Sequence, residues 1–310
     1  MFFKRQIAAK IEATLGTAET PAASDAGFKV NDFNLSIAGD AKERERVDGL
    51  LGWDESIPED AHTTLTLQAP ITAKGAAGAP DWSKLLRACA MALSSQTYTQ
   101  SSDTSTWKSV TASGYQDGRL KKGRGIMGNG VISLAAGKAG LFDFNGMGGW
   151  TGADPADAAL LTGQTFTEIV PPIFGGAGSF AISAAGGSEI AGVKISTAKI
   201  DLGNEVALRE DANSDGGYLC GWVGQVKPRI ELDPEAMLFA TQNWYAAYRA
   251  GSKFDVSFVI GSGDDNSIEI TATDLQLEKS PEDQNRNNKL VDALGFRVNG
   301  VIAIEFPTGA

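Results

Sequence analysis

Histidine is nearly missing from this chain: His62 is the only one in 310 residues, and cysteine occurs twice, at Cys89 and Cys220. One histidine and two distant cysteines make no zinc set. A Ser-His-Asp triad would have to use His62, which opens a threonine-rich stretch with no nucleophile-elbow sequence nearby. Two cysteines form no disulfide framework, so they read as separate buried thiols and a reducing compartment fits. Basic residues are few: 27 Lys and Arg face 38 Asp and Glu, a formal charge of −11. That balance argues against a protein that grips nucleic-acid phosphates. No apolar run approaches the about 18 residues of a membrane span. The opening Met1-Phe2-Phe3-Lys4-Arg5-Gln6 breaks into charge too early for a signal peptide. Carboxylates abound, as a glycosidase would need, but an acidic face is the commoner explanation. No catalytic, cofactor-binding or metal-ligating residue is assigned, and nothing in the chain demands an enzyme.

What the chain does have is glycine, 37 residues of it, and a plan stated twice. The first half carries Leu50-Leu51-Gly52-Trp53, an alternating Thr63-Thr64-Leu65-Thr66-Leu67, then Trp82-Ser83-Lys84-Leu85-Leu86-Arg87-Ala88. The second carries Leu219-Cys220-Gly221-Trp222, Pro228-Arg229-Ile230-Glu231-Leu232, then Trp244-Tyr245-Ala246-Ala247-Tyr248-Arg249-Ala250. The order is the same, and so is the spacing from Trp to Arg-Ala. A period of more than half the chain points to two similar domains and not to a solenoid. We place them at 1–165 and 166–310, with Pro171-Pro172-Ile173-Phe174-Gly175-Gly176 resisting both helix and sheet near the boundary. The expected class is mainly β: two tandem β-sandwich or part-barrel domains, each with one packed α-helix.

Along the chain, 7–15 reads as a short helix or an extended arm. Phe33-Asn34-Leu35-Ser36-Ile37 and 62–71 alternate as strands, with a turn at Ser56-Ile57-Pro58-Glu59-Asp60 between them. Asp81 is a fitting cap for a helix whose face carries Trp82, Leu85, Leu86, Cys89 and Leu93. Strands return at 106–115 and at 130–144, with a break at Gly137. In the second half, 193–202 and 225–232 read as strands, and Asp233-Pro234 starts a helix running through Trp244 to Arg249. The pair 254–260 and 267–277 flanks the hairpin signature Gly261-Ser262-Gly263-Asp264-Asp265-Asn266. A strand or hairpin over 293–306 closes the chain.

Two motifs match by letter and fail by context. Gly123-Arg124-Gly125-Ile126-Met127-Gly128 has the dinucleotide spacing, but a basic loop precedes it and a strand, not a helix, follows. Asp211-Ala212-Asn213-Ser214-Asp215-Gly216 starts like a calcium loop, but its twelfth position is Trp222 where a glutamate belongs. The basic cluster Arg119, Lys121, Lys122 and Arg124 is the one local reversal of charge. It reads as a solvated hairpin loop, or as a contact with an acidic patch on a neighbouring copy.

The ordered set Phe33-Asn34-Leu35-Ser36, Glu43-Arg44-Glu45-Arg46, Ser56-Ile57-Pro58, Leu65-Thr66-Leu67 and Gly78-Ala79-Pro80-Asp81-Trp82 resembles the major tail tube proteins of long-tailed, siphovirus-like bacteriophages. So do Tyr115-Gln116-Asp117-Gly118 and the stretch from Lys199 to Asn213. The resemblance implies a virion tail protein, assembled in the host bacterial cytoplasm. It implies stacked rings whose inner strands close a β-barrel around a channel, with no catalytic residue and no cofactor. Implied partners are further copies of the chain and other tail proteins such as the tape measure and terminator. DNA would pass through on ejection without specific binding, and no membrane is involved. Six single-domain copies per ring are usual in that family. Two marker sets per chain instead suggest a trimer imitating a hexamer, with a true hexamer as the alternative. Candidate inter-subunit contacts are Glu43, Arg44, Trp53, Arg119, Lys121, Lys122, Glu205, Arg209 and Trp222, drawn from the basic cluster and from the matched loops 40–58 and 204–227. Glu231 and Asp233 are candidates for the channel lining. The rival class is a carbohydrate-binding or hydrolysing β-sandwich that decorates a virion.

Overall fold

A computed structural model describes residues 4–27, 29–44, 55–73, 80–164, 170–263 and 266–307. The fold is mainly β. In the first half the strands are β1 (Arg5–Ile11), β2 (Asp32–Lys42), β3 (Ile57–Pro70), β4 (Met91–Ser94), β5 (Thr97–Gln100), β6 (Val110–Gln116), β7 (Arg119–Ala135), β8 (Leu141–Gly149) and β9 (Ala156–Asp157), with α1 (Lys84–Ala88) between β3 and β4. In the second they are β10 (Phe180–Ala184), β11 (Thr197–Asp201), β12 (Asn204–Glu210), β13 (Tyr218–Val226), β14 (Arg229–Leu232), β15 (Lys253–Gly261), β16 (Ser267–Leu277), β17 (Glu282–Arg286), β18 (Lys289–Val298) and β19 (Ile302–Glu305), with α2 (Trp244–Ala250) between β14 and β15.

The two halves pair their strands in the same order. In the first, the sheet runs β2-β3-β8-β7-β6-β1, every neighbour antiparallel. In the second it runs β11-β14-β18-β16-β15-β10, again antiparallel throughout. Short β9 returns onto β7 and β19 onto β16, each on the side away from the preceding hairpin partner. Each half also sets its short helix, opened by a buried tryptophan, between the same two strands. The hairpin β4–β5 belongs to the first half alone and β12–β13 to the second, while β17 continues the line of β16 along β18.

Alternation places one face of each strand inside. Phe33, Leu35, Leu65, Leu67, Phe142 and Phe144 from the first half share a continuous core with Ile200, Ile230, Leu232, Leu294 and Phe296 from the second. Trp82 packs on Phe142 and Phe306, and its Nε1–H donates to the Thr72 carbonyl at 2.9 Å. Trp244 packs on Phe254 and Phe296, and among the described residues its Nε1 has no partner. Asn243 caps α2 by accepting from the Ala246 N–H, and Gly251 ends it at φ 64.

Several expectations are corrected. Of the two readings of 7–15, the extended one holds, as strand β1, because pairing with β6 outweighs the helix propensity of its alanines. The turn at 56–60 is the start of β3. Pro58 is tolerated there because β3 pairs with β8 only from His62 onward, which leaves the missing N–H at an edge. The first helix ends at Ala88, and the chain reverses at Ala90 (φ 59), so Leu93 lies on β4 and is exposed. The second helix does not begin at Asp233-Pro234. The Asp233 carboxylate instead accepts from the Ser196 and Thr197 N–H groups and pairs with Arg286. The supposed loop 204–227 is mostly the β12–β13 hairpin, and the supposed basic loop before Gly123 is the beginning of β7. The hairpin expected around Gly261 is present, Gly261 facing Ser267. The 165/166 boundary and the Leu50-Leu51-Gly52-Trp53 marker lie outside the described residues.

Candidate functional site

The two halves meet edge to edge, and this joint is the most specific construction in the molecule. On one side β6 covers β7 up to Ile126. The remaining length of β7, 131–135, takes β11 there, with Ile132 opposite Ile200 and Leu134 opposite Ala198. A second seam joins β19 to β5. Polar side chains lock the first seam. Asn129 Nδ2 donates to Asp201 Oδ1 (2.7 Å), and the Asn204 N–H donates to Asn129 Oδ1 (2.9 Å). Asn204 is buried and its Nδ2 donates to the carbonyls of Cys89 (2.7 Å) and Gly128 (3.0 Å), both in the first half.

The β12–β13 hairpin extends this contact by lying on the first half. Trp222 meets Trp107 with ring centroids 5.0 Å apart, over a small second core that includes Ala90, Met127 and Val223. Glycine permits the approach: a Cβ on Gly221 would stand 2.3 Å from the Met147 carbonyl, and one on Gly125 2.6 Å from Cys220 Cβ. Beneath the hairpin sits Glu12, fully buried. Its carboxylate accepts from the N–H groups of Gly16 (2.9 Å) and Gly125 (2.7 Å) and from the hydroxyls of Ser109 (2.5 Å) and Thr111 (2.6 Å). Arg124 clamps the same region through the carbonyls of Trp150 and Gly16, both at 2.8 Å.

The outward face of the joined sheet is polar. In the first half Gln68 Nε2 donates to Asp143 Oδ1 (2.8 Å), and Asp32 and Asp143 are the charged groups lining a shallow depression with Thr66, Asn129 and Asn145. Across the joint a groove of about 940 Å³ crosses β7, β11, β14 and β18. Four cations, Lys138, Lys199, Arg229 and Lys279, line it with four carboxylates, Glu231, Asp233, Glu278 and Glu282. Arg229 and Glu278 stand 3.1 Å apart, Lys199 and Glu231 3.9 Å.

Of the residues singled out from sequence, Glu231 is exposed on this groove, whereas Asp233 is held in its turn by Arg286 at 2.6 Å. Glu205 pairs with Lys227 (2.7 Å), and the Arg209 guanidinium stacks 5.5 Å from the Trp222 ring, so this trio sits on the hairpin that covers the first half. Arg119, Lys121 and Lys122 lie on the outer stretch of β7 beside β6, away from the joint. Glu43 and Arg44 are exposed just past β2, and Trp53 lies outside the described residues. His62 sits within β3, its Nδ1 2.7 Å from the Asp60 carbonyl. Glu12, Trp107 and Asn204 escaped the sequence reading. A single glutamate, tryptophan or asparagine carries no periodic signal, although Gly203-Asn204 marks the end of a strand.

Burial pushes the Cys89 thiol well above the ordinary range and raises that of Cys220, which disfavours the reactive thiolate at both. In the calcium-like stretch, Asp211 turns inward on its own loop. Its carboxylate accepts from the Asn213 N–H and the Ser214 hydroxyl, which lowers its pKa. Among the described residues no three His, Cys, Asp or Glu side chains gather as a metal site, and no helix is long and apolar enough to cross a membrane. The Gly123–Gly128 motif lies wholly within β7, with no helix at its end. No known protein-family model matches the chain, and no curated protein matches it.

Proposed function

We propose that the chain is a structural subunit of a bacteriophage tail tube, polymerising as stacked rings around a channel for DNA. The observation that carries this reading is the repeated pairing order: two like sheets in one chain, joined edge to edge with the same sense of succession. A unit that adds the next unit to its edge in this way closes into a ring once rotation completes a circle. Closure also removes the sheet edges that otherwise promote aggregation. Each chain supplies two units, so three chains make a ring of six.

In such a ring the polar face of the joined sheet lines the channel. Its charges suit passage without capture. Asp143 repels phosphates, the charge of Asp32 is offset by Arg5, and along the groove Lys199, Arg229 and Lys279 each stand near a carboxylate that offsets it. The rival carbohydrate reading has less support, because among the described residues the groove offers no tryptophan or tyrosine on which a sugar ring would stack. The subunit would work in the virion tail beside other tail proteins, after assembly in the host cytoplasm. Negative-stain microscopy of the purified protein tests the proposal: rings or tubes support it, and discrete monomers at every concentration and salt condition contradict it.

A further inference from the structure

We infer that the outer edge of β2 is a docking edge for the segment 278–286 of a second copy of the chain, so that the joint made once within the chain is made again between chains. This rests on the ring reading above. Within the chain, the free length of β7 beyond β6 receives β11, and β11 holds the place in the second half that β2 holds in the first. The strand equivalent to β7 is β16. The chain that continues it, 278–286, pairs through β17 with β18 on one side and, among the described residues, with no strand on the other. Among the described residues β2 likewise pairs with β3 alone. Each chain therefore carries one complete joint and the two unmatched halves of a second.

The β2 edge bears the marks of an edge held in reserve. The Phe33 N–H donates to the Asp32 carboxylate (2.9 Å), and the Phe33 carbonyl accepts from the Arg5 guanidinium. Arg5 and Asp32 are themselves an exposed ion pair at 2.6 Å. Two side chains thus serve backbone groups that an incoming strand would serve, and a charged pair of this kind blunts an edge until its proper partner arrives. The ion pair is solvent-exposed, so exchanging it for main-chain bonds costs little. The occupant is a second copy because the template for the contact is the chain's own interior joint. Pro281 lacks an N–H, which fits the irregular stretch between β16 and β17 and leaves the rest of 278–286 able to pair.

Cysteine scanning of assembled rings tests this. Asn34→Cys, on the exposed side of β2, is combined in turn with Glu278→Cys, Ser280→Cys or Glu282→Cys, which covers the register across the irregular stretch. The native Cys89 and Cys220 are buried and stay in place. Mild oxidation should give at least one pair with covalent two- and three-chain species on a non-reducing gel, several-fold above the single-cysteine variants, with rings retained. Rings that form normally while no pair cross-links above that background would overturn the β2 edge and leave the ring reading standing. An internal disulfide in a monomeric band would also overturn it. No ring from the unmodified chain would remove both.

Discussion

At the scale of the residue, the strongest commitments are polar ones. Glu12 has four donors around a buried carboxylate and closes the region where the hairpin of one half rests on the other. Glu12→Ala would strand several of those donors, at about 1–3 kcal/mol for each one left unsatisfied. We expect Glu12→Ala to lower unfolding stability in urea by at least about 3 kcal/mol, and Glu12→Gln by less. A loss under about 1 kcal/mol for the alanine variant would show that the carboxylate is not the keystone described. Asp292 is the opposite case. It is nearly buried and stands directly across the β17–β18 hairpin from Asp283, so desolvation first and like charge second raise its pKa. The folded state therefore holds this proton more tightly than the unfolded chain does. Asp292 then lowers stability as pH rises through the ordinary carboxylate range, and the loss is complete above its raised pKa. Asp292→Asn should stabilise the protein at neutral pH by about 0.5–1 kcal/mol. In acid, where both aspartates are protonated, the gain should vanish. A gain independent of pH would point to some other cause.

At the scale of the element, the β12–β13 hairpin decides how the halves hold together. A Cβ at Gly221 would press on the Met147 carbonyl, a backbone atom with little room to move. Gly221→Ala should therefore cost about 1–3 kcal/mol by overpacking and shift the fluorescence of the Trp107–Trp222 pair. Unchanged stability and emission would mean the hairpin does not dock as described. This hairpin also shows where sequence reasoning stopped. The strands β2 and β3 were legible because one face is buried and alternation is clean, as in Phe33, Leu35, Leu65 and Leu67. In β12 only Asn204 is buried, and its apolar face is just Val206 and Leu208, both half-buried, which is too short a run to stand out from a loop. The second helix was legible from its Trp-to-Arg-Ala face but not its start, since Asp233 is occupied by Ser196, Thr197 and Arg286 and the cap falls to Asn243. Matched tryptophans pointed to the repeat. The edge-to-edge joint did not show, because register between distant strands leaves no mark in local periodicity.

At the scale of the whole molecule, one continuous core runs beneath a sheet whose outward face is polar, with most of its charges paired. If that face lines the channel, its charge governs passage and not assembly. The double variant Asp143→Lys, Glu231→Lys should form rings of normal size and bind duplex DNA with a steep salt dependence that the unmodified chain lacks. Equal DNA binding by both would place this face outside the channel. The central claim is that each chain holds two equivalent ring-forming units. Image reconstruction of rings from the purified chain, with the mass of the ring measured on the same sample, tests it most directly. The account predicts three chains per ring and six pseudo-equivalent units around the axis. Six chains per ring, with only one half of each lining the channel, would contradict it.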